Sequence, residues 1–392
     1  MSEEKNVILL VIDALRKDHM SCYGYERETT PFLDKFAEEN TKIENCWSTS
    51  SHTREAVPSL MTGKYPHESI NQKYELVGEN IAQKLEHNSA AFHSNPFISR
   101  AYGYDKGFDR FHDGLNRGRN KIITLGKRLL DKILNRHYER AEKINKLSLD
   151  WIESQDEKFF LWNQYMDVHG PYEPVEEFRG SFQDEPIGNR KSQLLLQKAR
   201  KKPGDISENE RQRLVDLYDE EILYTDRKIQ EFIDELKERE IYEDSIVIIT
   251  SDHGEAFGED GFYEHPRRLS DGLLKVPMLI KSLDIEEDSV MSLKDIFNLF
   301  TRETDGRRFK VDETVFAQVT EKRSDFNFYG AMNGEESNYV HSKPGECNDI
   351  QGPLSRELRE FIENIEKRSK SENVDKKDEE IKEKLEALGY GD

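Results

Sequence analysis

The chain has 392 residues, with 58 Lys or Arg against 79 Asp or Glu, so its formal net charge at pH 7 is −21. So acidic a chain repels a phosphate backbone, which argues against nucleic acid held on a basic face. No apolar run reaches the ~18 residues that span a bilayer, and Met1–Lys5 lacks the start of a secretory signal, so we expect a cytoplasmic protein without a membrane partner.

Apolar strands alternate with amphipathic helices along the chain. The run Asn6–Ile12 is almost wholly apolar, as in a strand buried on both faces of a parallel sheet. Thr30 and Pro31 predict the start of a helix, and a long helix is predicted from Asp219. Further strands are predicted at 90–92, 159–165, 245–250 and 276–280. This order predicts an α/β fold with helices on both faces of the sheet.

Composition changes along the chain predict its organisation. Two polar stretches, near 113–146 and 176–210, carry many basic residues and are predicted to be surface insertions. We assign residues 1–284 to the main domain. Beyond it the apolar blocks shorten, which predicts a smaller C-terminal α/β subdomain over 285–392 with terminal helices near 355–368 and 384–388.

Acidic and histidine side chains follow several predicted strands. Asp13 follows the first strand, Asp167 follows the strand 159–165, and Asp252 and His253 follow the strand 245–250. In parallel sheets the functional crevice lies beyond the carboxyl ends of the strands, so these side chains are expected to converge. Oxygen and nitrogen donors together suit Mn²⁺, Zn²⁺, Mg²⁺ or Ca²⁺. The pattern predicts a metal site.

A polar loop leads into a short helix near Thr53. A hydroxyl at the start of a helix lies where backbone N–H groups favour anions. An alcohol is a weak nucleophile unaided, and a divalent ion bound to its oxygen would activate it. From this local pattern alone, Thr53 is equally explained as a simple helix cap.

Several segments together resemble the sulfatases, a family within the alkaline phosphatase superfamily. They are VIDALRKD at 11–18, TPFLDKFA at 30–37, SLMTGKYP at 59–66, GYDKGFD at 103–109, YDEEI at 218–222, SDHG at 251–254 and LEALGY at 385–390. The resemblance implies a three-layer sandwich around a mostly parallel sheet. It also implies one divalent metal ion (Ca, Mn, Mg or Zn), held by Asp13, Asp252, His253 and the nucleophile oxygen.

The nucleophile position departs from the common sulfatase pattern. Counting ten residues back from Gly63, where many sulfatases have the cysteine or serine that becomes formylglycine, gives Thr53. Threonine is the nucleophile in several phosphate-transferring relatives, which favours the same role here. In addition, Ala14 replaces a second aspartate and Val57 replaces an arginine. Pro266 replaces a lysine, for which His265, Arg267 or Arg268 could substitute.

Three further residues receive roles from the resemblance. His169 aligns with the family histidine near the leaving group, where a proton donor is worth about 10²–10⁴ in rate. His265 falls where relatives have a substrate-binding residue. Lys64 matches a cation after the Thr-Gly pair and is predicted to neutralise the non-bridging oxygens of the ester.

These observations predict a metal-dependent hydrolase of sulfate esters or phosphate mono- and diesters, acting on a small or saccharide-linked anionic ester. Thr53 is predicted to attack, and His169 to protonate the leaving oxygen. A sulfo-threonine would have to be cleaved at sulfur, which shifts the balance towards phosphate. The alternatives are a phospho-group transferase and a non-catalytic protein of the same fold that binds an anionic glycan or a partner.

Overall fold

The computed structural model describes residues 5–85, 87–114, 138–302, 313–320, 327–342 and 350–369. The strands are β1 (Asn6–Ile12), β2 (Thr41–Lys42), β3 (Asn45–Trp47), β4 (Asn88–Phe92), β5 (Arg110–His112), β6 (Phe159–Tyr165), β7 (Ser245–Thr250), β8 (Ala256–Phe257), β9 (Tyr263–Glu264), β10 (Met278–Lys281), β11 (Val290–Ser292), β12 (Val315–Thr320), β13 (Asn327–Met332) and β14 (Ser337–Ser342). The helices are α1 (Pro31–Glu39), α2 (Thr53–Thr62), α3 (Pro66–Ser69), α4 (Ile81–Leu85), α5 (Ala141–Ile152), α6 (Asn189–Lys201), α7 (Glu208–Glu238), α8 (Asp271–Leu274), α9 (Asp295–Arg302) and α10 (Ser355–Ser369).

A seven-stranded sheet in the order β2-β10-β7-β1-β6-β4-β5 forms the middle of the molecule. Strand β1 lies at its centre, parallel to β6 and β7, with Val7 opposite both Phe160 and Ile246. Within this sheet β10 runs antiparallel to both its neighbours. Every residue of β1 is buried, as expected for a strand covered on both faces. The mostly parallel α/β fold predicted from the sequence is confirmed.

Alternate residues of β1 enter two hydrophobic cores. Ile8 and Leu10 face one core, which the apolar faces of α1, α5, α6 and α7 close. Val7 and Leu9 face the other core, which α2, α4 and α9 cover. Because successive side chains of a strand point to opposite faces of the sheet, this one apolar run contacts both helical layers. The result is a sandwich of three layers.

The long helix begins eleven residues before the predicted start, at Glu208, because Ser207 and Glu210 form a capping box there. Its predicted apolar residues, including Ile229 and Leu236, are fully buried. The polar stretch before it contains α6, whose Leu196 and Ala199 pack into the core. Part of the stretch predicted as a surface insertion therefore packs against the core of the sandwich.

The C-terminal residues divide between two environments. Strand β11 pairs with β3, and α9 packs against α2 and α4, so these residues belong with the large sheet although they lie beyond position 284. Strands β12 to β14 form a separate antiparallel sheet, against which α10 packs. The helix predicted near 384–388 and most of the insertion predicted at 113–146 lie outside the described residues. Within the described residues, no helix has the length and apolar character that crossing a membrane requires.

The start of α1 is stabilised from another helix. Pro31 occupies the first turn as predicted, but the Thr30 hydroxyl donates to Asp34 instead of capping. The carboxylate of Asp226 on α7 accepts hydrogen bonds from the backbone N–H groups of Phe32 and Leu33, both at 2.9 Å. Burial raises the pKa of Asp226 to about 7, although these hydrogen bonds oppose the rise.

This contact predicts a pH dependence of stability. Because the pKa of Asp226 is higher in the folded than in the unfolded chain, its contribution is fully present below pH ~4 and is lost as pH rises through about 7. The slope is at most about 1.4 kcal/mol per pH unit for one proton. We expect urea unfolding to give a lower free energy of unfolding for Asp226→Asn than for the wild type at pH 5. Between pH 5 and 7.5, the free energy of unfolding should fall less steeply with pH in the variant. Identical slopes in both proteins would contradict this assignment.

Candidate metal and catalytic site

Three side chains with metal-binding atoms meet beyond the carboxyl ends of the central strands. Asp13 directly follows β1, and Asp252 and His253 follow β7, so the pairing of these two strands brings them together. One ligand atom from each lies within 4.8 Å of the others, and all three residues are fully buried. The convergence predicted from the strand ends is therefore present for these three residues. Asp167, which was expected to join them, instead pairs with Arg140 at 2.9 Å and accepts a hydrogen bond from the backbone N–H of Ala141.

Each carboxylate of this cluster has one oxygen engaged and one oxygen without a partner in the described part of the chain. Asp252 accepts hydrogen bonds through Oδ1 from the backbone N–H groups of Ala14 and His253, whereas its Oδ2 accepts none. Oδ1 of Asp13 is likewise without a partner. Burial and the neighbouring charge of Asp13 raise the pKa of Asp252 to about 6. Two buried, unsatisfied carboxylate oxygens fit a cation between them.

The imidazole of His253 is held in the orientation that a metal ligand requires. Its Nδ1–H donates to the carbonyl oxygen of Gly254 at 2.8 Å, which leaves the lone pair on Nε2. Nε2 lies 3.7 Å from an oxygen of each of Asp13 and Asp252. The donor atoms present therefore fit a divalent ion.

Thr53 completes the cluster. It is the first residue of α2, after the cap residue His52, and it is buried. Its Oγ1 lies 3.2 Å from Nε2 of His253 and 3.5 Å from Oδ2 of Asp13. The structure thus brings together all four predicted ligand residues, with the hydroxyl at the N-terminus of a helix, where backbone N–H groups face a bound anion.

Two amides that the sequence reasoning missed fix Asp13. Asn95 follows β4 and Gln164 lies in β6, and each donates to Oδ2 of Asp13, at 2.9 Å and 2.8 Å. Both residues sit at or near the ends of predicted strands, which was the available signal. By engaging Oδ2, they leave Oδ1 of Asp13 facing Asp252 and His253.

Two further histidines lie beside the cluster. The His265 ring centroid is 4.5 Å from that of His253 and 4.7 Å from that of His169. His265 donates through Nδ1 to Oε1 of Glu255 at 2.9 Å, and Glu255 is itself held by the Tyr172 hydroxyl at 3.0 Å. Glu255, which the sequence reasoning also missed, therefore leaves Nε2 of His265 as an acceptor. Burial lowers the pKa of His265, and the nearby His253 and His169 lower it further.

Lys64 lies elsewhere, which corrects the role given to it. It follows Gly63, the C-terminal cap of α2, whereas Thr53 begins that helix. A helix of this length separates its ends by about 15 Å. Lys64 is exposed, and its Nζ lies against Gly78. In the first turn of α2, Arg54 follows Thr53 directly, and Glu55 pairs with Arg267 at 2.8 Å. Val57, at the family's arginine position, packs in the core.

The three-layer α/β sandwich, with this cluster beyond the carboxyl ends of its central strands, has the fold of solved sulfatase structures. A model of the sulfatase family matches residues 5–302, which is more than half of the chain. The chain belongs to the sulfatase family.

Individual relatives include transferases and sulfatases. The chain is 25% identical over 274 residues to the phosphatidylethanolamine transferase Mcr-1 of Escherichia coli, covering 68% of this chain and 45% of that protein. It thus spans less than half the length of that relative. A solved structure of BT4656 in complex with its substrate D-glucosamine-2-N,6-O-disulfate has a TM-score of 0.68 and 14% identity, covering 96% of this chain and 100% of the other. The periplasmic domain of Escherichia coli EptC in complex with Zn has a TM-score of 0.61 and 15% identity, covering 86% and 94%.

Proposed function

We propose that this protein is a metal-dependent enzyme that cleaves phosphate esters by way of a phospho-threonine at Thr53. The observation that carries the proposal is the position of the Thr53 hydroxyl, 3.2 Å from Nε2 of His253 and 3.5 Å from Asp13, among buried carboxylates. The alternative that Thr53 is a simple helix cap is wrong, because His52 caps α2. A threonine with only a structural role would not require two unsatisfied carboxylate oxygens beside it.

The donor set favours zinc as the divalent ion. Asp13 and Asp252 each keep one free oxygen, and His253 and Thr53 add one atom each, so the protein offers four donors including an imidazole. Four donors with a histidine nitrogen suit Zn²⁺, whereas Ca²⁺ takes six to eight oxygens. The zinc complex of the related EptC domain supports the same choice. When bound, the ion would lower the pKa of the Thr53 hydroxyl and withdraw charge from the phosphoryl oxygens.

In the first step, the Thr53 oxygen forms a bond to phosphorus as the bond from phosphorus to the leaving oxygen breaks. The Thr53 proton leaves to solvent, because Oδ2 of Asp13, 3.5 Å from the hydroxyl, already accepts hydrogen bonds from Asn95 and Gln164. His169, beside His265, donates a proton to the leaving oxygen.

In the second step, water attacks the phospho-threonine and the bond from phosphorus to Thr53 breaks. Nε2 of His265 accepts the proton of water, because Glu255 holds the opposite ring nitrogen as a donor. The Thr53 oxygen departs as the deprotonated group with which the first step began. His265 then passes this proton to His169, because the centroids of the two rings are 4.7 Å apart. His169 thereby regains the proton that it gave to the leaving group.

The chemistry of threonine favours phosphate over sulfate. A formylglycine enzyme releases sulfate by collapse of a hemiacetal, and Thr53 has no such route. The similarity to a phosphatidylethanolamine transferase supports a phosphate ester, while the disulfated sugar bound by BT4656 supports an anionic ester in general.

The test is turnover by the metal-depleted protein after addition of one ion at a time. We expect Zn²⁺ or Mn²⁺ to restore hydrolysis of 4-nitrophenyl phosphate or bis(4-nitrophenyl) phosphate, at least about tenfold faster than that of 4-nitrophenyl sulfate. Faster turnover of the sulfate would overturn the phosphate assignment. An absence of turnover with any ion, with no metal by elemental analysis, would favour the non-catalytic binding protein instead.

A phospho-group transferase is the second candidate, because the similarity to Mcr-1 covers 68% of the chain. In a transferase, an alcohol replaces water in the second step. With glycerol added, a transferase would release more nitrophenol than inorganic phosphate, whereas a hydrolase would release equal amounts.

A further inference from the structure

The side chain of Arg54 is a buried cation with which no described carboxylate forms an ion pair. Arg54 follows Thr53 in α2, and the residue is 6% exposed. Within the described ranges its guanidinium forms no ion pair, and its buried Nε has no hydrogen-bond partner. The guanidinium instead lies 4.0 Å from the ring centroid of Phe97 and 5.1 Å from that of Tyr74. Burial lowers the pKa of Arg54 and the charge of Arg267 lowers it further, although Glu55, which pairs with Arg267, opposes this shift.

Other mostly buried arginines of the described chain meet carboxylates. These pairs are Arg16 with Asp18 and Glu259, Arg27 with Asp216 and Asp219, Arg140 with Asp167 and Glu221, and Arg267 with Glu55. A buried charge is costly without a partner, and Arg54 differs from these arginines in lacking one among the described residues. We therefore expect its partner to be a bound molecule.

A second buried donor near Arg54 is also unsatisfied. The hydroxyl of Tyr104, a residue 1% exposed, has no hydrogen-bond partner in the described part of the structure. It lies within electrostatic reach of Arg54, whose charge lowers the pKa of Tyr104 against the effect of burial. Two buried donors without partners among the described residues, one of them charged, are the kind of groups that bind an anion.

This group is continuous with the catalytic site. The ring of His52, which caps α2, lies 6.0 Å from that of His265 and 5.4 Å from that of Phe97. Phe97 in turn contacts the guanidinium of Arg54. An ester bound at Thr53 therefore has a path along His52 and Phe97 to Arg54.

We propose that Arg54 binds a second anionic group of the substrate, so that the natural substrate carries a carboxylate, sulfate or phosphate besides the ester that reacts. This proposal rests on the proposed function for the identity of the reacting ester. The planar guanidinium, which lies against the rings of Phe97 and Tyr74, offers paired N–H groups to such an anion.

The kinetic test compares phenyl phosphate with the 2-, 3- and 4-carboxyphenyl phosphates, which place one added charge in three directions. We expect the wild type to prefer at least one carboxylated ester by about tenfold in kcat/KM, and Arg54→Gln to reduce that ratio to about one. Arg239→Gln removes the same charge at the far end of α7, where Arg239 pairs with Glu153, and should keep the ratio. Equal losses on all four esters in Arg54→Gln, or no preference in the wild type, would overturn the proposal.

A binding test separates this proposal from the proposed function. In metal-free protein, Asp13 and Asp252 repel anions, so binding of inorganic sulfate at constant ionic strength reports on Arg54. Calorimetry should give one site, weakened at least tenfold in Arg54→Gln and unchanged in Arg239→Gln. If Arg54→Gln does not fold, Arg54→Lys carries both tests and should weaken binding severalfold. If sulfate binds the wild type and the Arg54 variants equally well, the proposal is wrong. If the wild type does not turn over any ester but its sulfate binding depends on Arg54, only the proposed function is rejected.

Discussion

Thr53→Ala is expected to lower kcat for 4-nitrophenyl phosphate by a factor of about 10³ or more. The change removes the oxygen that forms the bond to phosphorus, and among the described residues no other hydroxyl contacts the side chains of both Asp13 and His253 within hydrogen-bond distance. Mass spectrometry after rapid acid quenching should find a phosphorylated peptide containing residue 53 in the wild type and none in the variant. Because three ligand residues remain, the variant should still contain metal.

Thr62→Ala is the matched control for this prediction. Thr62 is buried at the opposite end of the same helix, and its hydroxyl donates to the carbonyl oxygen of Pro58 at 2.7 Å. Its loss should lower stability by about 1 kcal/mol and leave kcat within about threefold. Undiminished activity in Thr53→Ala would remove Thr53 as the nucleophile, and equal losses in both variants would assign the effect to the helix as a whole.

Asp252→Asn is expected to weaken Zn²⁺ binding by at least about 100-fold, because it replaces a buried carboxylate ligand with a neutral amide. Relative to the wild type, the variant should be equally or more stable without metal and less stable with it. Without metal, Asp252 and Asp13 repel each other, so the variant should melt at the same temperature as the wild type or higher. With zinc at 100 times its Kd, the wild type should gain about 2.7 kcal/mol and the variant almost none.

Asp226→Asn provides a control for the loss of a buried carboxylate. Asp226 is 2% exposed and holds the start of α1, away from the cluster. The variant should differ from the wild type by the same amount with and without metal at a given pH, and it should keep the full stabilisation by zinc. Differential scanning calorimetry with and without EDTA checks both variants. An equal gain from zinc in Asp252→Asn and the wild type would exclude Asp252 as a ligand.

The central strands and the ligand residues could both be predicted from the same pattern, an apolar run that ends in a polar metal-binding residue. Strands buried on two faces appear in the sequence as uninterrupted apolar runs, and the predicted bounds of β1, β6 and β7 agree with the structure. Parallel strands also end at one edge, so Asp13 and Asp252 could be expected to meet despite their separation in sequence.

Other site residues carry no such pattern. Asn95, Gln164 and Glu255 act through single hydrogen bonds to Asp13 and His265, and a single polar residue near a strand end is compatible with many roles. The role of Lys64 was wrongly predicted because its place beside the motif says nothing of its distance from Thr53 across the helix. The packing of α9 beyond position 284 depends on contacts with α2 and α4 that no local pattern encodes.

The position of β1 between β6 and β7 has a consequence for how the chain folds. Val7 pairs with Phe160 on one side and with Ile246 on the other, so the most apolar segment acquires its second neighbour only after some 240 further residues exist. At ribosomal rates of ~5–20 residues per second, that delay is about 10 to 50 s. Contacts so distant in sequence also slow folding itself. During biosynthesis β1 therefore remains exposed to non-native association, and we expect refolding yields to fall steeply with protein concentration.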